Sequence, residues 1–369
     1  MPKTVVVGMS GGVDSSVAAY KLLQDGYNVV GLFMRNWDSY TNNDIEGNPN
    51  TGNICPQEQD YNDAKEVCDK LGIKLHRVDF IKEYWDEVFT YFLEELKKGR
   101  TPNPDLMCNK YIKFDLFIKE AKKLGADYIA TGHYARLING ILCRGIDDNK
   151  DQTYFLAQVP VNQFKDVLFP IGDLTKPEVR EIADRVGLST AKKKDSTGIC
   201  FIGERNYQKF LHNYLKPNPG DIIDVETLEK VGTHTGLMNY TIGQRRNVGL
   251  SGNKDKHYVV GKNVEKNILY VAFGEDNKYL YSDECIIDNL NFLTDKRPKE
   301  CTAKFRYRSK DVKVELEYID ANHIKVKYKD TTSGVTPGQA CVLYEAEECL
   351  GSGIIDTVYK DGEKLWYLF

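Results

Sequence analysis

Over roughly the first two hundred residues, apolar positions fall into short runs of strand character alternating with longer stretches of helical spacing. The pattern predicts strand at Thr4–Met9, helix at Ser15–Gln24, strand at Asn28–Met34, helix at Tyr61–Leu71 and strand at Lys74–Asp79. Helices at Tyr84–Lys98 and Lys113–Leu124 and a strand at Tyr128–Ala130 follow. Such alternation builds an α/β layer, a parallel sheet with helices on both faces. Asn139-Gly140, flanked by Ile138 and Ile141, predicts a two-residue hairpin. Thr175-Lys176-Pro177-Glu178 reads as a capping box opening a helix at Val179–Val186. The polar run between Arg35 and Pro56 reads as a long mobile loop, of the kind that forms a lid beside a nucleotide site.

After Pro217-Asn218-Pro219-Gly220 the pattern changes to short β-rich runs at Asp221–Val225, His257–Val260, Ile268–Val271, Val312–Tyr318, Ile324–Tyr328 and Ala340–Tyr344. A chain of 369 residues has room for three domains. The expected division is an α/β catalytic domain over 1–216, a small β-rich linker domain over 217–278 that contacts RNA, and a C-terminal β-barrel over 279–369 that also binds it.

Composition narrows the class. Hydrophobic residues are 41% and charged residues 28%, and no apolar run approaches the roughly 18 residues of a membrane span, so a soluble chain with no membrane partner is expected. Met1-Pro2-Lys3-Thr4 runs straight into the first strand and leaves no room for a cleavable signal, which makes a cytoplasmic location the expectation. Nine irregularly spaced cysteines argue for reduced thiols rather than a disulfide framework, and no C-x-x-C pair marks a zinc site. The net charge of −4 offers no global attraction to nucleic acid, so RNA affinity has to come from local basic surface.

Gly8-Met9-Ser10-Gly11-Gly12-Val13-Asp14-Ser15-Ser16 lies where the first strand meets the first helix. Its glycines let the backbone approach an anion, and Ser10, Ser15 and the helix N-terminal amides can donate to phosphate oxygens. A Walker loop would need lysine followed by a hydroxyl residue, whereas Val13-Asp14 follows Gly12. An acidic residue in a phosphate cradle makes chemical sense if Mg2+ bridges it to the phosphates. The run resembles the S-G-G-x-D-S motif of the N-type ATP pyrophosphatases (PP-loop superfamily). That implies ATP cleavage between the α and β phosphates and an adenylated substrate.

Two thiols stand in distinctive surroundings. Thr101-Pro102-Asn103-Pro104-Asp105-Leu106-Met107-Cys108 puts Cys108 three residues after a carboxylate, in a proline-stiffened loop ahead of the helix expected from Lys113. A nearby helix N-terminus and lysine would lower its pKa. Cys200 follows Ser196-Thr197-Gly198 and the cations Lys192-Lys193-Lys194, whose potential favours thiolate or persulfide. Alone, either cysteine also reads as a small buried hydrophobe, and sequence does not bring the two together.

The chain as a whole resembles the tRNA-specific 2-thiouridylases. Five motifs carry the likeness in the expected order: G-M-S-G-G-V-D-S-S, N-P-D-x-M-C-N, A-T-G-H-Y-A, K-D-Q-T-Y-F and S-T-G-I-C-F-I-G. The resemblance implies a tRNA-uridine 2-sulfurtransferase that adenylates the C2 carbonyl of the wobble uridine with ATP, then replaces the oxygen with sulfur and releases AMP and pyrophosphate. It implies a persulfide on Cys200, Cys108 as partner nucleophile and Asp105 as the acid/base group beside the base. ATP contacts would be Gly8, Met9, Ser10, Gly11, Gly12, Val13, Asp14, Ser15, Met34 and Gly132, with Mg2+ as companion. Contacts to tRNA would be Asn103, Pro104, Asp105, His133, Lys150, Asp151, Gln152, Arg306, Tyr307 and Gln339. The sulfur source would be a cysteine desulfurase acting directly or through relay proteins. The persulfide can deliver its terminal sulfur directly, or Cys108 can first liberate sulfide; both routes leave a Cys108–Cys200 disulfide for a reductant to reset.

Some of these positions carry their own signal. Gly132 and His133 follow the strand ending at Ala130, and ligands collect beyond the carboxyl ends of parallel strands. Met34 reads first as core, and Lys150-Asp151-Gln152 as a solvated turn before a helix. Lys296–Lys310 holds seven Lys or Arg against Glu300, with Phe305 and Tyr307 interleaved, a pattern suited to phosphate attraction and base stacking. On a strand, Lys304, Arg306 and Arg308 would share one face. Gly243-Gln244-Arg245-Arg246 with Lys254 and Lys256 forms a second candidate phosphate surface. Cys55, Cys68, Cys143, Cys285, Cys301, Cys341 and Cys349 read as structural thiols. Rival readings are another PP-loop enzyme, such as a 4-thiouridine synthase or an amidating synthetase, and an RNA-binding protein without catalysis.

Overall fold

Period-two alternation in the first strands sorts their side chains between two cores. Val5, Val7, Phe33 and Ala130 pack against α1 (Val13–Gln24), α2 (Pro56–Leu71) and the Lys176–Val186 helix. Val6, Leu32 and Ile129 pack on the opposite face, against helices spanning 81–97 and 104–123. The computed structural model describes residues 2–46, 56–195, 198–200, 202–203, 205–250 and 257–368. Cys55, Ser196, Thr197, Phe201, Lys254 and Lys256 lie outside the described residues.

The strands of this layer are β1 (Thr4–Gly8), β2 (Asn28–Arg35), β3 (Lys74–Asp79), β4 (Tyr128–Ala130) and, beyond a hairpin of β5 (Ala135–Ile138) and β6 (Ile141–Arg144), β7 (Val167–Leu168). They pair in parallel in the order β3-β2-β1-β4-β7. The order reverses between β1 and β4, so a ligand crevice opens beyond the carboxyl ends of those two strands. Asn139 and Gly140 carry φ of 51° and 80°, the left-handed pair that the two-residue hairpin needs. Both hydrogen bonds of the Thr175–Glu178 capping box are formed.

β8 (Gly220–Asp224), β9 (Lys230–His234), β10 (His257–Asn263) and β11 (Ile268–Phe273) form a separate four-stranded sheet in the order β10-β11-β8-β9. β12 (Tyr281–Phe292), β13 (Glu300–Lys304), β14 (Val312–Tyr318), β15 (Ile324–Ser333), β16 (Ala340–Glu345) and β17 (Glu348–Lys360) close into an antiparallel barrel, because β12 pairs with both β15 and β17. The β5–β6 hairpin extends the barrel sheet through Cys143 opposite Glu348. Ala340, Val342, Tyr344 and Ile354 of the barrel share one core with the 81–97 and 104–123 helices.

Three expectations change. The helix expected from Lys113 begins at Pro104: Asn103 Oδ1 accepts from Asp105 N at 3.1 Å, and Pro104 is preset for the first helical position. Cys108 therefore lies inside a helix rather than in a loop ahead of one. The described part of the expected mobile loop is packed, with Trp37, Asn42 and Asp44 buried. β13 stops at Lys304 and Arg308 takes φ 65°, so Lys304, Arg306 and Arg308 do not share a strand face. Among the described residues no helix is long and apolar enough to cross a membrane.

Candidate active site

The glycine-rich turn leaves β1 and enters α1 at the switch point. Ser10 Oγ and Ser15 Oγ lie 3.1 Å apart, and Ser15 and Ser16 donate to Gly12 O at 3.1 and 2.8 Å, which holds the turn open around the first amides of α1. Gly132, arriving from β4, packs so closely that a Cβ would sit 2.7 Å from Ser15 N. Gly11 takes φ 71°, and a Cβ there would meet Asp60 O at 2.2 Å. The Asp14 carboxylate accepts from Tyr134 Oη at 2.8 Å and from Lys176 Nζ at 2.7 and 2.9 Å. Lys176 also reaches Asp195 at 2.8 Å, and Lys150 and Arg180 join it there at 2.5 and 2.8 Å. These ion pairs pull the Asp195 carboxyl down to about 2, against a burial effect that opposes them. Lys193 pairs with Asp60 and Asp63. Four cations thus ring the mouth of the loop.

Asp195 leads directly into the Cys200 segment, which crosses to the 104–123 helix. Cys200 Sγ lies 3.9 Å from Cys108 Sγ. Asp105 Oδ1 accepts from Cys200 N at 3.1 Å, and Tyr84 Oη donates to Cys200 O at 2.8 Å, so both backbone polar groups of the half-buried Cys200 are anchored. Burial pushes the Cys108 thiol well above its ordinary value, the reverse of the lowering expected from sequence. The Cys108 hydrogen bond and then the Lys113 ammonium hold the Cys200 thiol below its ordinary value, against burial. The pair is thus electrically unequal, with burial acting most strongly on Cys108 and the neighbouring hydrogen bond and cation favouring charge on Cys200. The cation beside Cys200 is Lys113 rather than Lys193 of the lysine run. Burial raises the Asp105 carboxyl, with Lys113 opposing.

The candidate RNA positions are largely engaged within the fold. His133 is buried between Phe114 and Phe169, shares a 2.8 Å hydrogen bond with Thr131 Oγ1, and is kept neutral by burial and by Lys113. Asp151 is buried rather than solvated and accepts from Gly145 N and from Thr153 N and Oγ1. Gln152 Oε1 accepts from Tyr134 N at 2.9 Å. Arg306 Nη2 donates inward to Ile242 O and Thr336 Oγ1 at 2.8 and 2.6 Å. Tyr307 lies on Phe155 with ring centroids 4.3 Å apart. Gln339 Nε2 donates to Thr101 O at 2.6 Å and so braces the strand of chain leading to Asn103 and Asp105. Lys296 pairs with Glu345 and Glu348, while Lys299, Arg308, Lys310, Arg245 and Arg246 remain exposed. Met34 is buried in the core.

Sequence reading missed Lys113, Lys176 and Tyr84. Lys176 was visible only as a capping-box member, and nothing local distinguishes Lys113 or Tyr84 from ordinary helix residues. Burial raises the thiols of Cys68, Cys285, Cys301 and Cys349 to about 12, as befits inert packing groups.

A glycine- and serine-rich turn at the switch point of a β3-β2-β1-β4-β7 sheet, joined to a pair of apposed thiols, defines a PP-loop protein of the sulfur-transferring kind. A family profile described as "tRNA methyl transferase HUP domain" matches residues 3–204, a "tRNA methyl transferase PRC-barrel domain" 208–273 and an "Aminomethyltransferase beta-barrel domain" 282–355. Curated proteins named tRNA-specific 2-thiouridylase MnmA from Mycoplasmopsis synoviae (strain 53) and Mesoplasma florum are each 56% identical to this chain. The alignments cover 99% of both chains in the first case, and 97% of this chain and 100% of the relative in the second. The chain belongs to the tRNA-specific 2-thiouridylase family, a family of transferases whose PP-loop implies use of ATP. Among solved structures, a 4-thiouridine synthetase–RNA complex with bound ATP is 14% identical over 57% of this chain and 50% of that one, at a TM-score of 0.35, a likeness too slight to bear on function.

Proposed function

We propose that the protein thiolates C2 of the wobble uridine of tRNA, with the PP-loop as ATP site and Cys108, Cys200 and Asp105 as catalytic residues. The single observation that carries this reading is the 3.9 Å approach of Cys108 Sγ to Cys200 Sγ, with Asp105 on the Cys200 amide. Two apposed thiols beside a carboxyl support thiolation over the methyl transfer named in the profile descriptions.

The Ser10 and Ser15 hydroxyls and the α1 amides would hold the nucleotide phosphates, and the absent side chain of Gly132 leaves the crevice open beside them. Lys176 and Lys150 would turn from carboxylates to phosphate oxygens. Among the described residues no three His, Cys, Asp or Glu side chains are arranged to hold a metal ion, and Asp14 is the carboxylate on the loop. That donor set fits Mg2+ carried by the phosphates themselves, with one carboxylate and water completing its shell. In the reaction the uridine O2 attacks the α-phosphorus and pyrophosphate leaves. Sulfur then adds to C2 and AMP departs with the former carbonyl oxygen. Cys200 would carry the persulfide, and attack of Cys108 on its inner sulfur would form the disulfide and expel hydrosulfide. Asp105, whose carboxyl pKa is raised by burial against the opposing pull of Lys113, would serve as acid/base at the base. The exposed cations Arg245, Arg246, Lys299, Arg308 and Lys310 would meet the RNA backbone. The 1–216, 217–278 and 279–369 division, a cytoplasmic setting and a protein persulfide donor, a desulfurase or its relay, complete the proposal.

The test is incubation with unmodified tRNA, ATP, Mg2+ and a persulfide source, followed by digestion and mass spectrometry for 2-thiouridine. Product at the wobble position from wild type, and none from Cys108→Ser or Cys200→Ser, is expected. Product at another position would refute the substrate, and full activity in either variant would refute the mechanism.

A further inference from the structure

The 104–123 helix is not α-helical throughout: Cys108–Leu116 is a π-helix, whose backbone bonds span five residues. In an α-helix, residues five apart diverge by about 140° around the axis. In the wider π turn, whose hydrogen bonds join residues five apart, that divergence is much smaller. The π register therefore brings Lys113 onto the side of the helix that carries Cys108, and π turns concentrate at functional sites.

There the Lys113 ammonium hydrogen-bonds the Cys200 sulfur and lies within electrostatic reach of the Cys108 thiol, the Asp105 carboxyl and the His133 imidazole. Among the described residues, the groups that face Cys200 are Cys108, Lys113, Asp105 and Tyr84, whose hydroxyl is occupied by the Cys200 carbonyl. Of these, Lys113 alone carries positive charge. Lys193 of the lysine run is held by Asp60 and Asp63. A half-buried sulfur anion without a cation would take up a proton.

We propose that Lys113 is a further catalytic residue, the counter-cation that keeps the Cys200 sulfur anionic while it accepts sulfur from a donor. This rests on the reading of Cys200 as persulfide carrier. The step is an exchange: the Cys200 thiolate attacks the outer sulfur of a protein persulfide, a new S–S bond forms at Cys200, and the donor S–S bond breaks. Its electron pair leaves on the donor thiolate and the S–H proton stays on the transferred sulfur, so no outside oxidant or reductant enters. Lys113 offsets the negative charge before the attack and releases none of its own protons.

The test is site-resolved alkylation of the full chain by iodoacetamide across pH, with Cys200 read by peptide mass spectrometry in wild type, Lys113→Met, Lys113→Gln and Lys113→Arg. In Lys113→Met and Lys113→Gln the Cys200 midpoint should rise by at least about one pH unit, lowering its rate at pH 7 about tenfold, while Lys113→Arg stays near wild type. Thermal melts identify which neutral variant folds as wild type does. An unmoved Cys200 midpoint in that variant overturns the proposal. The assay needs no tRNA, ATP or donor, so failure of wild type to make 2-thiouridine would refute the proposed function while leaving this result separately readable.

Discussion

Arg205 grips the buried carboxylate of Asp44 through two nitrogens, Nη2 at 2.8 Å and Nε at 3.0 Å from Oδ2, and Trp37 Nε1 and Ser39 Oγ donate to the same oxygen at 3.0 and 3.5 Å. Both side chains are at most 5% exposed. The pair ties the segment after β2 to the chain just beyond Cys200. Removing one partner leaves an uncompensated buried charge. Arg205→Ala should cost about 3–5 kcal/mol in urea unfolding, and Asp44→Asn in the same chain should recover part of it. Additive losses in the double variant would refute this account.

The two sulfurs should react unequally. A lowered pKa keeps the Cys200 anion populated at pH values where an ordinary thiol, at about 8.5, is protonated. Alkylation near pH 7 should therefore label Cys200 quickly, while Cys108 stays unlabelled until strongly alkaline pH. With a persulfide donor, Cys108→Ser should accumulate Cys200 persulfide and Cys200→Ser none. Faster labelling of Cys108 would reverse the assignment.

At the mouth of the crevice, Gly132→Ala would drive a methyl to within 2.7 Å of Ser15 N and 2.8 Å of Asp14 C. The first turn of α1 must then shift. Formation of 2-thiouridine, measured well below the variant's own melting transition, should fall at least about tenfold, equal to about 1.4 kcal/mol. Unchanged activity would mean that Gly132 does not line the nucleotide site.

Lys262 of β10 is fully buried and donates to Gly99 O at 2.9 Å, bridging the four-stranded sheet to the end of the 81–97 helix. Burial lowers its ammonium to about 7, whereas the unfolded chain would hold that proton to about 10.4. Between those values the unfolded state binds more protons, so this group makes stability rise with pH across that window, and its cost is complete below pH 7. Lys262→Met should unfold about 1–3 kcal/mol less readily than wild type at pH 7, with the difference shrinking toward pH 10. A difference independent of pH would contradict a buried, titrating lysine.

Much of this architecture was legible one segment at a time. The alternation of Val5, Val6 and Val7, the Asn139-Gly140 turn and the Thr175–Glu178 box encode their structures within a few residues, through pleat geometry, left-handed φ and side-chain capping. Each cysteine motif likewise stood out from its own neighbours. Where such local signals run out, tertiary packing decides. The Asn103 cap and Pro104 start the 104–123 helix locally, but the meeting of that helix with Cys200 rests on the Thr101–Gln339 brace and on the Asp105 and Tyr84 anchors, made across separations of 238, 95 and 116 residues. The Arg205–Asp44 pair and the junction of β6 with β17 have the same character. Sequence alone determined the strand and helix order, the glycine-rich turn and the two cysteine motifs, because those depend on neighbours in the chain. Tertiary structure alone decided which two thiols meet, which cation stands by Cys200, and which expected RNA contacts are spent inside the fold, because charge and burial are properties of what the folded chain brings together.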